Sequence, residues 1–383
     1  MKKTLLGTTA LVAAGLLASP ALASDPLRVT IGGNVVTGFY FVDADDLDLM
    51  GSASFQNTKV ALVARNIDIK AEGTLDNGLV AGVDAKLQLN NDYSLGSAML
   101  SESNTSPYSS WASFRQLFAY LQGDFGKFEI GGTDGAAYKM HYTSPWFVPG
   151  NGVDSPNILN MPLMLVRHST FSLLATDSNK ISYFTPRFSG FQLGFSFTPN
   201  VTLSPSENGL TLAPKDQGVQ NVYEAAINYA GTVGAVDIGA DAFYVSGTGD
   251  YVIGDQGEPE EWGLGLNLGY SGFTLGGAYY KSQDMFGNWA AVPKQAGLDN
   301  TTWTAGLKYA TGPWTVGVAY LDTKQSLGDI VPLDLKSKNW QIGGGYNLGS
   351  GVDIGIDLQS TQFEVYNFDY DSKSVGLVLA IAF

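Results

Sequence analysis

Apolar and polar residues alternate along most of the chain. The alternation is nearly complete between residues 191 and 197, where large apolar side chains face small or polar ones: Phe191, Leu193, Phe195 and Phe197 against Gln192, Gly194 and Ser196. A period of two is typical of a β-strand whose two faces meet different surroundings. Because similar patterns recur from residue 28 to the C-terminus, the sequence predicts an all-β protein.

The predicted strands number sixteen, and their connections alternate between short and long. The short connections are residues 74–78, 124–126, 186–190, 230–234, 270–272, 311–313 and 348–351. The long connections are residues 42–57, 92–110, 133–178, 200–219, 247–260, 282–300, 324–336 and 364–371. Short turns at one end and long loops at the other are typical of an antiparallel transmembrane β-barrel.

The apolar face of these strands has two interpretations. A soluble sandwich would bury it, whereas a membrane barrel would turn it to lipid and enclose the polar face around water. Aromatic pairs that bracket single apolar stripes favour the barrel: Trp262/Tyr270, Trp303/Tyr309, Trp340/Tyr346 and Tyr223/Tyr229. Ordinary aromatic strand propensity would not place them at the stripe ends, so we interpret them as two interfacial girdles.

A barrel of about sixteen strands is wide enough for an aqueous channel. Its predicted inner face carries small residues, which we expect to fill little of the lumen: Gly263, Gly265, Gly343, Gly345 and Gly355. The third long connection, residues 133–178, is the longest and has no clean periodicity, so we expect it to fold into this lumen.

The N-terminus is typical of a secretory signal peptide. Lys2 and Lys3 precede an apolar stretch that ends in Ala21-Leu22-Ala23, so cleavage is predicted after Ala23 and the barrel is predicted to span residues 24–383. An uncleaved membrane anchor would need a longer apolar span.

Composition narrows the class of protein further. The chain has no cysteine, which excludes disulfides and thiolate metal sites. Its net charge of −15 becomes −17 once the two leader lysines are removed, which argues against nucleic acid as a partner.

Three segments together resemble Gram-negative general porins, and the turn Leu75-Asp76-Asn77-Gly78-Leu79 is similar to α-proteobacterial members. The first contains Arg115, Phe118-Ala119-Tyr120-Leu121, Gly123-Asp124-Phe125-Gly126 and Ile130-Gly131, and is similar to the strand pair that precedes a porin constriction loop. The second, Ile181-Ser182-Tyr183 through Gly190-Phe191, is similar to the pair that follows it. The third is the strand ending in Phe383, a terminal aromatic that serves as an assembly signal in that family.

The resemblance implies an outer-membrane barrel, a homotrimer, surrounding lipid and lipopolysaccharide, and passage of small hydrophilic solutes and ions. No cofactor is implied. It also implies that residues 133–178 form the constriction loop and that Arg115 lies on a basic pore wall. The chain departs from the family at Gly132, where such porins often carry arginine.

Candidate constriction residues come from the loop and from the facing wall. Strand parity predicts that Lys70, Lys86, Lys127 and Glu129 face the lumen, and the loop adds Asp134, Asp154 and Arg167. Opposed charges across a narrow water-filled gap would create a transverse field. The alternative is that each is simply a solvated polar residue.

Other chemistry has weaker support. His141 lies near Ser144 and His168 near Ser169, but no nucleophile motif is present, so no catalytic residue is predicted. No metal site is predicted either. The alternatives are metal binding by the histidine pair and Ca²⁺ binding by the acidic segment 43–48.

Three functions therefore stay open: a non-specific diffusion channel, a substrate-selective channel of the same fold, and a non-transport barrel such as a hydrolase or a surface-binding protein. For the first we expect weak cation selectivity. The expectation rests on the net charge and on four inward carboxylates without a base beside them in their own strand: Asp237, Asp241, Asp353 and Asp357.

Overall fold

The computed structural model describes residues 25–45, 57–89, 112–160, 166–201, 217–251, 258–285, 298–326, 334–365 and 368–383. The predicted leader, its cleavage site and most of the acidic segment 43–56 lie outside these residues.

Sixteen strands and one short helix make up the regular structure of the described residues. The strands are β1 (Asp25–Ala44), β2 (Thr58–Thr74), β3 (Val80–Leu89), β4 (Ala112–Gly123), β5 (Gly126–Gly132), β6 (Asn179–Phe184), β7 (Phe191–Asn200), β8 (Gln217–Val233), β9 (Val236–Tyr251), β10 (Glu260–Tyr270), β11 (Phe273–Met285), β12 (Leu298–Thr311), β13 (Trp314–Ser326), β14 (Asp334–Gly349), β15 (Val352–Val365) and β16 (Phe368–Ala382). The helix is α1 (Ala136–Lys139). No helix in the described ranges is long and apolar enough to cross a membrane.

The strands form one closed antiparallel barrel, as predicted. Each strand pairs with its sequence neighbours, and β1 closes on β16, for example with Val36 opposite Ala380. Several strands extend further towards the long-loop end than the sequence pattern indicated. β8 begins at Gln217, inside the predicted loop 200–219, and β9 continues to Tyr251.

The outer face carries an exposed apolar band between two rows of aromatic rings. At the long-loop end, ring centroids lie 5.1 Å apart for Trp303 and Tyr320 and 4.6 Å apart for Tyr320 and Trp340. At the short-turn end the corresponding distances are 4.4 Å for Phe273 and Tyr309 and 4.5 Å for Trp314 and Tyr346. Two separate rows at opposite ends are the arrangement expected at the two membrane interfaces.

The third long loop lies inside the barrel. Apolar side chains from its middle, including Phe147, Val148 and Ile158, are buried against Val36 and Tyr40 of β1 and their neighbours. Near its two ends, helix α1 and Ala175 pack against the inner faces of β6, β8 and β9. The loop therefore follows the inner wall from β6 around to β1.

Inward glycines create the surface on which this loop lies. Five loop residues cover eight of them: Tyr142 on Gly239 and Gly265, Pro145 on Gly276 and Gly306, Phe147 on Gly317, Val148 on Gly343, and Pro149 on Gly345 and Gly355. A Cβ added at Gly265 would lie 2.0 Å from the carbonyl oxygen of Tyr142. Four of the five glycines that we expected to fill little of the lumen are instead covered by the loop. Gly263 differs, because its nearest neighbour is the ring of Phe243.

The C-terminal residue completes the seam of the barrel. The backbone N–H of Phe383 donates to the Gly33 carbonyl at 3.0 Å, and the Gly33 N–H donates back at 2.9 Å. The Phe383 side chain is exposed on the outer face, and a Cβ added at Gly33 would lie 2.8 Å from its ring. Phe383 thus adds one hydrogen-bonded pair and an outward aromatic ring to the closing strand.

Substitution of Gly265 should disturb the loop while leaving the barrel closed. We expect Gly265→Ala to lower the stability of the assembled barrel by about 1–3 kcal/mol, because the new methyl group overlaps the Tyr142 carbonyl. Thermal unfolding in detergent measures the loss. Gly269→Ala is the matched control on the same strand and face, since its Cβ would lie 3.3 Å from the Asp237 Cβ. Equal stability of the two variants would contradict this role of Gly265.

Deletion of Phe383 should impair assembly, since it removes both seam hydrogen bonds and the terminal aromatic ring. We expect the truncated chain to yield several-fold less heat-modifiable barrel in the outer membrane. Phe383→Tyr, which retains the backbone pair and the ring, should assemble normally. Normal accumulation of the truncated chain would show that the seam closes without this residue.

Candidate pore constriction

Four carboxylates on the inner wall hold the loop in place. They come from four different strands and are almost fully buried: Glu224 of β8, Asp241 of β9, Glu261 of β10 and Asp357 of β15. Burying a carboxylate is costly unless hydrogen-bond donors compensate for the lost water, so their partners decide whether this arrangement is stable.

Glu224 and Asp241 accept bonds from the start of the loop. The Ala137 N–H donates to Glu224 Oε2 at 3.0 Å, and the Tyr142 N–H donates to Asp241 Oδ1 at 2.7 Å. His141 Nδ1 lies 2.9 Å from Asp241 Oδ2. Because these two donors are backbone N–H groups, they fix the path of the chain at α1 and directly after it.

Asp357 and Glu261 receive side-chain donors from further along the loop. Asn151 Nδ2 donates to Asp357 Oδ2 at 2.8 Å, and the Tyr40 hydroxyl donates to the same oxygen at 2.8 Å. Arg167 Nη1 lies 3.5 Å from Glu261 Oε1, with its guanidinium 4.0 Å from the centre of the Tyr280 ring. Two of the carboxylates that we expected to face water, Asp241 and Asp357, are therefore covered by the loop.

The two ends of the loop meet at β4. Arg115 Nε donates to Asp177 Oδ2 at 2.8 Å, while Gln116 Nε2 donates to Asp134 Oδ2 at 2.8 Å and to Asp177 Oδ1 at 2.7 Å. Burial raises the pKa of Asp134, with the nearby Asp177 carboxylate adding to the effect. Gln116 thus links the two ends of the loop. The sequence pattern gave no reason to choose it as a candidate site residue.

A β-bulge allows Arg115 and Gln116 to act together. Lys86 of β3 lies opposite Gln116, but the next pair is Leu87 with Phe114, so Arg115 is an extra residue in β4. Consecutive residues of a regular strand point to opposite faces. The bulge brings both side chains to the loop, and Lys86 Nζ donates to Gln116 Oε1 at 3.4 Å.

The facing wall carries paired charges. Lys70 Nζ lies 2.9 Å from Glu72, which also accepts the Tyr120 hydroxyl. Lys127 lies 2.9 Å from Glu129, and Lys139 of the loop bonds the other oxygen of that carboxylate. Glu129 is buried beneath the two lysines, so their ammonium groups rather than the carboxylate reach the lumen.

Asp154 and Arg167 make hydrogen bonds within the loop. Asp154 is fully buried and accepts the Thr170 N–H at 2.8 Å as well as the hydroxyls of Thr143 and Thr170. Arg167 donates to the Ser169 and Phe171 carbonyls in addition to its contact with Glu261. Both were candidates for the pore lining, and the structure places them in contacts that hold the loop together.

Both histidines are also held within contacts between loop and wall. His141 Nε2 lies 3.1 Å from Thr170 Oγ1, and His168 Nε2 lies 2.8 Å from Ser337 Oγ of β14. Burial lowers the pKa of His168 to about 4, so its ring is neutral at pH 7. Among the described residues no three His, Asp or Glu side chains gather as a metal site.

Comparison with known proteins agrees with this architecture. A family model described as Gram-negative porin matches residues 7–365. A search of curated proteins gave no match. Similar solved structures include Salmonella typhi OmpF in complex with daunomycin, at a TM-score of 0.59 and 14% identity, over 93% of this chain and 98% of that one.

Two further structures share the fold. In-vitro folded OmpT of Vibrio cholerae, described as a trimer form, has a TM-score of 0.58 and 11% identity, over 94% of this chain and 100% of that one. The outer membrane channel DcaP of Acinetobacter baumannii has a TM-score of 0.57 and 14% identity, over 96% of this chain and 100% of that one. Family and fold point to a channel rather than an enzyme. Since the family model covers most of the sequence, the chain belongs to the Gram-negative porin family and is a barrel of the outer membrane.

Proposed function

We propose that this porin forms a water-filled channel for passive diffusion of small hydrophilic solutes and ions. The observation that carries the proposal is the position of the loop. It follows the inner wall from β6 to β1, while charged side chains on β2 and β5 stay partly exposed, as with Lys70 at 45% and Lys127 at 32%. Charged groups retain exposure where water remains, so the open side of the lumen lies along β2–β5.

Two other functions remain as competitors. A substrate-selective channel of the same fold would use the same lumen but conduct less and be blocked by its solute. A hydrolase or surface-binding barrel would not conduct. Against an enzyme, both histidines already bond loop or wall groups, and the acidic candidates Asp134 and Asp154 bond Gln116 and threonine hydroxyls.

The surroundings of the channel follow from the same proposal. We place the apolar band in outer-membrane lipid, with lipopolysaccharide around the long-loop end, and we propose export with cleavage after Ala23. We also propose a homotrimer, which has support from the trimer form described for the OmpT structure.

Ion selectivity is proposed to be weak and to favour cations. The net charge without the leader lysines is −17, from −15 for the full chain less two lysines. Asp237 and Asp353 remain partly exposed near the short-turn end, whereas Asp241 and Asp357 are buried beneath the loop. With half of the predicted carboxylates withdrawn from water, only a small bias remains.

Single-channel recording tests the leading function. We expect purified protein to open ohmic channels of large conductance in planar bilayers, because the lumen holds water along β2–β5. A small conductance that a particular solute blocks would favour the selective channel. Protein that is folded by heat-modifiability but gives no conductance would contradict both channel functions.

The reversal potential under a KCl gradient tests the selectivity. At about 0.1 M salt, where the Debye length is about 10 Å, we expect a weakly cation-selective potential that fades as salt rises. The Asp237→Asn/Asp353→Asn variant should move it towards zero. The matched control Asp369→Asn/Asp371→Asn removes two exposed carboxylates from the outer face of β16 and should leave it unchanged. An anion-selective potential at low salt would overturn the proposal.

A further inference from the structure

The charges of the loop are all used in contacts with protein groups. Residues 133–178 contain five Asp, Glu, Lys or Arg residues, and each bonds a partner described above: Asp134, Lys139, Asp154, Arg167 and Asp177. A transverse field would need carboxylates on the loop that oppose free cations on the wall. Here the charges that face water beside β2 and β3 belong to those strands themselves.

Those wall charges form an alternating pattern, which we call the mixed-charge wall. It consists of Asp68, Lys70 and Glu72 on β2 with Asp84 and Lys86 on β3. The strand register places Asp68 opposite Lys86 and Lys70 opposite Asp84. Because residues directly opposite in an antiparallel pair have Cβ atoms about 4.5–5.5 Å apart, these four charges each have an opposite charge as their neighbour across β2 and β3, while Glu72 lies opposite Gly82.

The wall is placed so that solutes can reach it. Its residues share the face of Gly82, where an added Cβ would contact the inward Tyr120 ring at 2.4 Å, while the other face of the hairpin shows exposed Val83. Lys70 and Glu72 keep side-chain exposures of 45% and 43%. Asp68, Asp84 and Lys86 are half-buried, so the wall is accessible without being a closed pocket.

Such a pattern distinguishes solutes by how their charge is distributed. A simple ion next to the wall meets attraction and repulsion that nearly cancel. A solute that carries both an ammonium and a carboxylate can pair with both signs at once, because oppositely charged side chains stand on residues whose Cβ atoms are about 5 Å apart. We propose that the mixed-charge wall is a specificity-determining site that favours small zwitterions, above all ω-amino acids and short peptides. The inference rests on the proposed channel function.

Two four-carbon solutes of equal net charge test it: the zwitterion 4-aminobutyrate and the neutral 4-hydroxybutyramide. Liposomes that contain the full-length porin should swell faster in 4-aminobutyrate, by roughly threefold, the effect expected of one or two exposed ion pairs. In about 1 M salt, where the Debye length falls to about 3 Å, the two rates should become equal. This salt comparison uses the native chain and does not depend on any variant folding.

A variant that lacks two charges of the mixed-charge wall provides a second test. Lys70→Gln/Asp84→Asn removes two opposite charges that face each other in the register, and with Lys70 the ion-pair partner of Glu72. The net charge does not change, and the variant should lose the preference for the zwitterion. The matched control Lys324→Gln/Asp334→Asn removes a 2.8 Å ion pair on the outer side of β13 and β14, and should keep it. Both variants are first checked for heat-modifiable assembly.

The outcomes separate the inference from the proposed function. If neither solute enters, the diffusion channel itself is wrong. If both enter native channels at equal rates in low salt, or if the preference survives the loss of the Lys70 and Asp84 charges, the channel stands and the mixed-charge wall has no such role.

Discussion

The structure depends on one constraint: peptide groups at membrane depth have no water to bond. Each N–H and C=O must pair within the protein, and a sheet achieves this only when its first strand bonds its last. The pairing of β1 with β16, completed by Gly33 and Phe383, meets that requirement. Closure creates an inner surface as well as an outer one, and every other feature of the molecule follows from what lies on these two surfaces.

The inner surface is specialised for holding a loop. Along β9–β15 it carries glycines that leave room for residues 142–149 of the loop, and buried carboxylates that accept the loop's donors. Along β2–β5 it carries charged side chains that keep partial exposure. The inner surface thus has a part that binds the loop and a part that meets water, and the two parts adjoin at Arg115 and Gln116 of β4, which bond both ends of the loop.

The outer surface could be predicted from the sequence because it depends on local periodicity. β5 ends at Gly132, directly before the predicted connection 133–178, and the aromatic rows follow from the same two-residue period. The inner contacts could not be predicted in this way. Asn151 and Asp357 are 206 positions apart, and Tyr40 and Asp357 are 317 positions apart. A parity pattern shows that Asp357 faces inward but not that a loop covers it. Likewise, the inward position of Gln116 beside Arg115 depends on a bulge, which a strict period of two excludes.

The loop contacts residues that are far from it in sequence, and this has a consequence for the order in which the molecule folds. Residues 133–178 lie between β5 and β6, yet they bond Asp241 of β9 and Asp357 of β15 and pack against Tyr40 of β1. The site that receives Asn151 exists only when the last strands stand beside the first. Contacts between residues so far apart in sequence are slow to form, because the chain must lose entropy before it gains them. The loop therefore reaches its final position late, after the barrel has closed. In a barrel that has not closed, neither the loop nor the carboxylates that bind it would have their partners.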